Sequence, residues 1–160
     1  MRRQALWLVG VNELAGPPCP CGSGVPYSRC CGPLHHGERQ AATAVELMRS
    51  RYAAYACGES DYLVRTWHPR TRPTDLSLDP RIVWLGLEIL DIEAGGADDD
   101  AGEVEFVARF TSGGRFDSMR ERSVFQRRAG RWLYVGEADC SSGNVRLMVE
   151  LVEQEGGGVR

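Results

Sequence analysis

The sequence predicts an α+β fold: a curved antiparallel sheet with helices on one face, behind a short cysteine-rich N-terminal segment. Three observations predict it. Apolar residues recur at helical spacing between positions 43 and 67. The period then changes to two from 82 to 135. Four of the six cysteines fall between positions 19 and 31. Helices followed by an antiparallel meander make an α+β architecture. A long sheet with helices on one face curls around them into a cone, a natural place for a pocket.

The elements follow in order. Residues 1–16 read as a leader, with Arg2-Arg3 before a short apolar stretch and no small-x-small cleavage site. Residues 17–37 are rich in Pro, Gly and Cys and cannot bury a core of their own, so a staple must fold them. The cone is expected over 38–140. Thr43-Ala-Val-Glu46 is a capping box opening a helix with Val45, Met48, Tyr52, Tyr55 and Ala56 on one stripe, and Gly58 stops it. A second helix is expected from Ser60 as cap, with Leu63 and Trp67 four apart and Pro69 as its end. Residues 69–81 are loop.

Strands are predicted over Ile82–Glu93, Glu103–Thr111, Arg115–Arg128 and Arg131–Val135, joined at Gly95–Gly102, Gly113-Gly114 and Ala129-Gly130. Glu121 alternates with Met119, Ser123 and Phe125 and so is expected on the apolar face. Val145, Met148, Val149 and Val152 predict a closing helix within a 141–160 tail.

Composition excludes several classes. The 160 residues are 42% hydrophobic and 26% charged, which excludes bulk disorder. No apolar run approaches the ~20 residues that span a bilayer, so no membrane partner is expected. The net charge of −3 argues against a nucleic-acid binder driven by overall charge. All 19 basic residues are Arg, as GC-rich coding produces.

Cysteine usage points to the cytoplasm and to metal. A disulfide between the adjacent Cys30 and Cys31, or between Cys19 and Cys21, would be strained. One small cation satisfies all four thiolates at once. Paired thiols without C-x-x-C spacing are a weak redox signature. The expectation is therefore one structural Zn2+ per chain held by Cys19, Cys21, Cys30 and Cys31. Four thiolates leave no open position for catalysis. His35 and His36 are expected at the surface, and Cys57 and Cys140 as free thiols in a core.

Cys19-Pro-Cys21-Gly22-Ser23-Gly24, then Tyr27, then Cys30-Cys31-Gly32 resembles the SEC-C motif, the zinc-binding tail of the SecA translocase. The likeness extends through Gly32-Pro33-Leu34-His35, Leu47-Met48-Arg49-Ser50-Arg51-Tyr52, Thr66-Trp67-His68-Pro69, Glu121-Arg122-Ser123 and Gly130-Arg131-Trp132 to the YchJ family. That resemblance implies a SEC-C knuckle at 17–37 joined to a nuclear-transport-factor-2-like cone of unassigned activity. It also implies a homodimer through the sheet. Arg120 stands where the family has His, and Val25-Pro26 where the SecA tail has two Lys, so the partners of that tail do not carry over.

Three functions compete at this level. The first is a binding or adaptor protein whose knuckle contacts an unknown protein partner. The second is an enzyme of isomerase, dehydratase or hydrolase type, taking a small molecule into the cone with Glu121, His68, Tyr52 and Asp61 as acid–base groups. The bland reading of Glu121 is an ion pair with Arg49 or Arg51, and that of His68 a helix-end cap beside a core Trp67. The third is RNA or ribosome contact through the Arg-rich strand. From 88 to 105 there are eight acids and no Arg, and from 109 to 131 seven Arg, so cross-strand pairing competes with it.

Overall fold

The computed structural model describes residues 16–138 and, for the backbone alone, 145–146. The expected leader and Cys140 lie outside the described residues. A single 3-10 turn, Tyr27–Arg29, and a four-residue helix α1, Gly32–His35, build the N-terminal knuckle. The long helix α2, Ala44–Cys57, and the short α3, Ser60–Arg65, follow.

The capping box forms as the sequence predicts. Thr43 Oγ1 accepts from the Glu46 amide at 3.2 Å, and Glu46 Oε2 reaches back to the Ala42 amide at 2.7 Å. Gly58 ends α2 in the left-handed region at φ 77°. The second helix differs from expectation. Glu59, not Ser60, is its N-cap, and it stops at Arg65. Trp67 leaves the helix because the chain at 66–68 pairs with the sheet: the His68 amide donates to the Tyr134 carbonyl and the Tyr134 amide to the Thr66 carbonyl.

The sheet is an antiparallel meander of β1 (Ile82–Ala94), β2 (Ala101–Ser112), β3 (Arg115–Arg128), β4 (Arg131–Ala138) and the two-residue β5 (Val145–Arg146), in sequence order. Val145–Arg146 thus pair with Glu137–Ala138 where a helix was expected. The rest of that helix lies outside the described residues. β1 carries two register shifts, at Leu85 and Leu90, which bend it. At the β1–β2 hairpin a Cβ on Gly102 would stand 2.4 Å from the Gly95 Cα, and one on Gly95 2.6 Å from the Ala44 Cβ. The two glycines let the hairpin close and let α2 start against it.

Period-two alternation sends Val104, Phe106 and Ala108 of β2, Phe125 of β3 and Trp132 and Tyr134 of β4 inward. They meet Leu47, Met48 and Tyr52 of α2 and Leu63 of α3 in one core. The outer face is an ion-pair ladder. Arg109 pairs with Glu88 at 2.7 Å, Arg120 with Glu105 at 2.7 Å, and Arg122 with Asp91, Glu93, Glu103 and Glu105. The opposite charges of neighbouring strands therefore serve each other.

Candidate functional site

The four knuckle cysteines converge. Their sulfurs all lie within 4.8 Å of one another, with Cys21–Cys30 at 3.6 Å and Cys30–Cys31 at 3.9 Å. A tetrahedral zinc site with Zn–S bonds of about 2.3 Å has sulfur–sulfur edges of about 3.8 Å. The thiols are free, and the spacing is far beyond a disulfide bond. The donor set therefore fits a single tetrahedral cation.

Local chemistry explains the convergence. Gly22 and Gly24 adopt φ 78° and 75°, which a tight turn requires. The turn brings the Ser23 amide to Cys21, and the Cys21 and Cys31 amides to Cys19. The Ser23 hydroxyl lies 3.2 Å from Cys30 Sγ. Such donors to sulfur spread the charge of a four-thiolate site. The protons of the thiol set are shared unevenly. The hydrogen bond between Cys31 and Cys21 holds Cys21 down at about 4, and the same bond pushes Cys31 up. Burial pushes Cys19 up to about 11.

The knuckle is tied to α2 by three side chains. Arg49 Nη1 donates to the Cys21 carbonyl at 2.9 Å. Arg39 Nη2 donates to the Cys30 carbonyl at 3.3 Å. His35 is buried, not at the surface as the sequence predicts, because its ring bridges the two parts. Burial lowers its pKa, so the ring is held neutral. Sequence reasoning missed this role, and also that of Tyr27, Ser50 and Tyr62 around it. The Gly-Pro-Leu-His run was visible, but nothing local says where its imidazole docks. His36 is exposed as expected, whereas Cys57 is exposed at the end of α2 and not in a core.

The second group of predicted residues does not assemble. Glu121 is 3% exposed and faces the core as its alternation predicts. Its partners are not Arg49 or Arg51. Oε1 accepts from Ser123 Oγ at 2.7 Å and from the Tyr134 hydroxyl at 3.1 Å. Burial pushes its pKa up to about 7, against those two hydrogen bonds. Arg49 and Arg51 are two apart on α2 and so point to different sides. Arg51 is buried, donates to the Leu63 carbonyl and to Thr66 Oγ1, and lies between the rings of Trp67 and Tyr134 at 4.8 and 4.6 Å. Its Nη2 has no partner among the described residues.

Tyr52 is buried edge-on to Trp84 at 5.6 Å. Asp61 is exposed in the first turn of α3. His68 sits beyond the end of α3, where Nδ1 accepts from the Arg70 amide at 3.2 Å. No hydrogen bond or ion pair joins any two of these four residues among the described residues. A cavity inside the cone, bounded by Arg51, Tyr52, Tyr55, Trp84, Phe106 and Tyr134, measures about 10 Å³. That is room for about one water. Side chains fill this part of the cone, where the sequence left an open pocket and a filled interior as alternatives.

Comparison with known proteins agrees with this architecture. The family described as YchJ, middle NTF2-like domain, matches residues 43–137, and the SEC-C motif matches residues 18–33. A UPF0225 protein of Streptomyces coelicolor is 52% identical over 118 residues, which is 74% of this chain and 92% of that one. One from Deinococcus radiodurans is 48% identical over 123 residues, 76% of this chain and 89% of that one. The solution structure of RPA3114, a SEC-C motif containing protein from Rhodopseudomonas palustris, superposes with a TM-score of 0.67 at 41% identity, covering 76% of this chain and 97% of that one. A SEC-C motif containing protein from Psychrobacter arcticus has the same fold, with a TM-score of 0.62 at 22% identity over 87% of this chain and 96% of that one.

Proposed function

Because the chain belongs to the YchJ family, in which a SEC-C motif precedes an NTF2-like domain, we propose that it is a zinc-binding adaptor whose knuckle contacts another macromolecule. The observation that carries this reading is the closed sulfur tetrahedron. Four thiolates use every coordination position of a tetrahedral zinc, so the metal holds a shape and activates no water. Zinc suits four soft sulfurs in that geometry without redox chemistry.

What the cation holds is an exposed rim. Gly22, Ser23, Gly24 and Arg29 are exposed, and Val25 stands 41% exposed between them. The opposite side of the knuckle is fastened to α2, so the rim has one orientation relative to the sheet. The small-molecule enzyme reading has less support, because Glu121, His68, Tyr52 and Asp61 do not converge on a common space. RNA contact through the Arg-rich strand loses Arg109, Arg120 and Arg122 to carboxylates. A homodimer would use the exposed Val83, Leu85, Leu90 and Ile92 of β1, and native mass spectrometry reads its mass directly.

The test is affinity capture from the lysate of the source organism, with the full chain purified under reducing conditions. Metal content of the bait is measured in parallel. Val25→Asp leaves the ligands in place and should keep one zinc per chain while losing the captured partner. Cys30→Ser should lose both. Capture unchanged in both variants overturns the adaptor role of the knuckle, and a metal-free bait with intact thiols overturns the zinc.

A further inference from the structure

We infer that the cavity inside the cone, walled by Arg51 and Tyr55, binds a monovalent anion of halide size such as chloride. The first observation is a buried charge without a counter-charge. Arg51 is 2% exposed. Burial lowers its pKa, yet a guanidinium stays protonated in proteins. It makes no ion pair among the described residues. A charge inside a protein is costly unless it is paired. Glu121 does not pair it: Oε1 is taken by Ser123 and Tyr134. Burial also keeps that carboxyl protonated up to about pH 7.

The second observation is how the guanidinium is held. Nη1 donates to the Leu63 carbonyl and to Thr66 Oγ1, both at 2.8 Å. The rings of Trp67 and Tyr134 stand 4.8 and 4.6 Å from its central carbon. These contacts fix the group between α3 and β4. The other amino group, Nη2, is buried and has no partner among the described residues. A buried donor left in that state carries the full cost of losing water.

The third observation is the space beside it. Arg51, Tyr52, Tyr55, Trp84, Phe106 and Tyr134 are walls of one cavity of about 10 Å³. That is the size of one water or one monatomic ion. Tyr55 follows Arg51 by one turn of α2, so the two side chains share a side of the helix. Its ring lies against Trp84 at 5.7 Å. Burial raises its pKa, so the phenol keeps its proton and can donate. A guanidinium and a phenol thus bound the same small, otherwise apolar space.

The chemistry of the walls favours an anion over a water. A water accepts from both donors but must also place two protons of its own. The wall side chains include no carboxylate, carboxamide or imidazole, and the Tyr134 hydroxyl is already bonded to Glu121. An anion only accepts, and it brings the charge that Arg51 lacks. The attraction is strong because the surroundings screen it poorly. The volume admits one heavy atom, so size selects a halide over a carboxylate or a phosphate.

The experiment uses the full metal-loaded chain. Crystals grown in sodium bromide should show an anomalous peak in the cavity beside Arg51. In solution, the unfolding midpoint should rise by roughly 2–5 °C when about 200 mM sodium chloride replaces sodium acetate at constant ionic strength. Acetate is the reference because it exceeds the cavity. Arg51→Met keeps the length of the side chain and should remove the chloride dependence. Tyr55→Phe keeps the ring and should weaken chloride binding by roughly threefold or more. It carries the test alone if Arg51→Met does not fold. The site is overturned if the cavity holds an ordered water and no bromide, if acetate stabilises as much as chloride, or if either folded variant responds to chloride as the parent does.

Discussion

His35 joins the knuckle to the backbone of Ser50: its Nε2 donates to the Ser50 carbonyl at 2.8 Å from inside the protein. Because that carbonyl can only accept, the ring proton is on Nε2, and Nδ1 accepts from the Tyr27 hydroxyl at 2.8 Å. The ring also lies against Tyr62, at 4.6 Å between centroids, and the Tyr62 hydroxyl meets Ser50 Oγ at 2.7 Å. One neutral imidazole thus ties the 3-10 turn, α2 and α3 together.

Replacing it should be felt in both parts. His35→Ala removes one buried and one part-buried hydrogen bond and leaves a cavity, a loss of roughly 2–4 kcal/mol. Thermal or urea unfolding of the metal-loaded chain checks it. Tyr27→Phe removes one bond and should cost about 1 kcal/mol. An unchanged midpoint for His35→Ala would show that the imidazole carries no stability.

Metal removal should loosen more than the knuckle. Cys19, Cys21 and Cys31 pack with Ala53 of α2 in one buried cluster. Without a cation, burial raises Cys19, and the hydrogen bond with Cys21 raises Cys31, so these two stand as neutral thiols. A chelator should therefore lower the unfolding midpoint and release hydrogen-exchange protection across 19–35 first. Zinc added back should restore both. Retained protection at 19–35 after verified metal loss would count against the coupling.

Glu121 makes stability depend on pH with a definite sign. Its folded pKa, about 7, lies above the ordinary carboxyl value of 4.5, so the folded state holds the proton more tightly. Its favourable contribution is full below about pH 4.5 and is lost as pH rises to about 7. Linkage puts the loss at about 3 kcal/mol. Glu121→Gln should remove that slope, with a higher midpoint than the parent at pH 8 and little difference at pH 4. Parallel stability curves for the two chains would contradict a buried protonated carboxyl.

The hairpin glycines should not tolerate a methyl group. A Cβ on Gly102 meets the Gly95 backbone at 2.4 Å, and backbone cannot rotate away. Gly102→Ala should cost roughly 1–3 kcal/mol. Gly113→Ala should cost less, because nothing lies within 4 Å of its Cβ position and only its φ of 57° is strained. Equal midpoints for the two variants would argue against close packing at the β1–β2 hairpin.

The sequence alone determined the four long strands β1 to β4, their hairpins, the capping box of α2 and the four sulfur donors. Each of these is written within a few residues, as an alternation, a turn pair or a ligand spacing. The inward side of Glu121 was legible for the same reason. Its partners were not, because Tyr134 reaches it through the β3–β4 pairing, where the register shifts between Val124 and Phe125. The sequence offered Arg49 and Arg51 equally, and only the docking of α2 sent Arg49 to the knuckle and Arg51 between two aromatic rings. His35 and His68 followed the same rule, since the one was drawn inward by the Ser50 carbonyl and the other fixed against β4 by backbone pairing with Tyr134. Periodicity says which way a side chain faces. What it meets there depends on contacts between distant segments, and those exist only once the chain has packed.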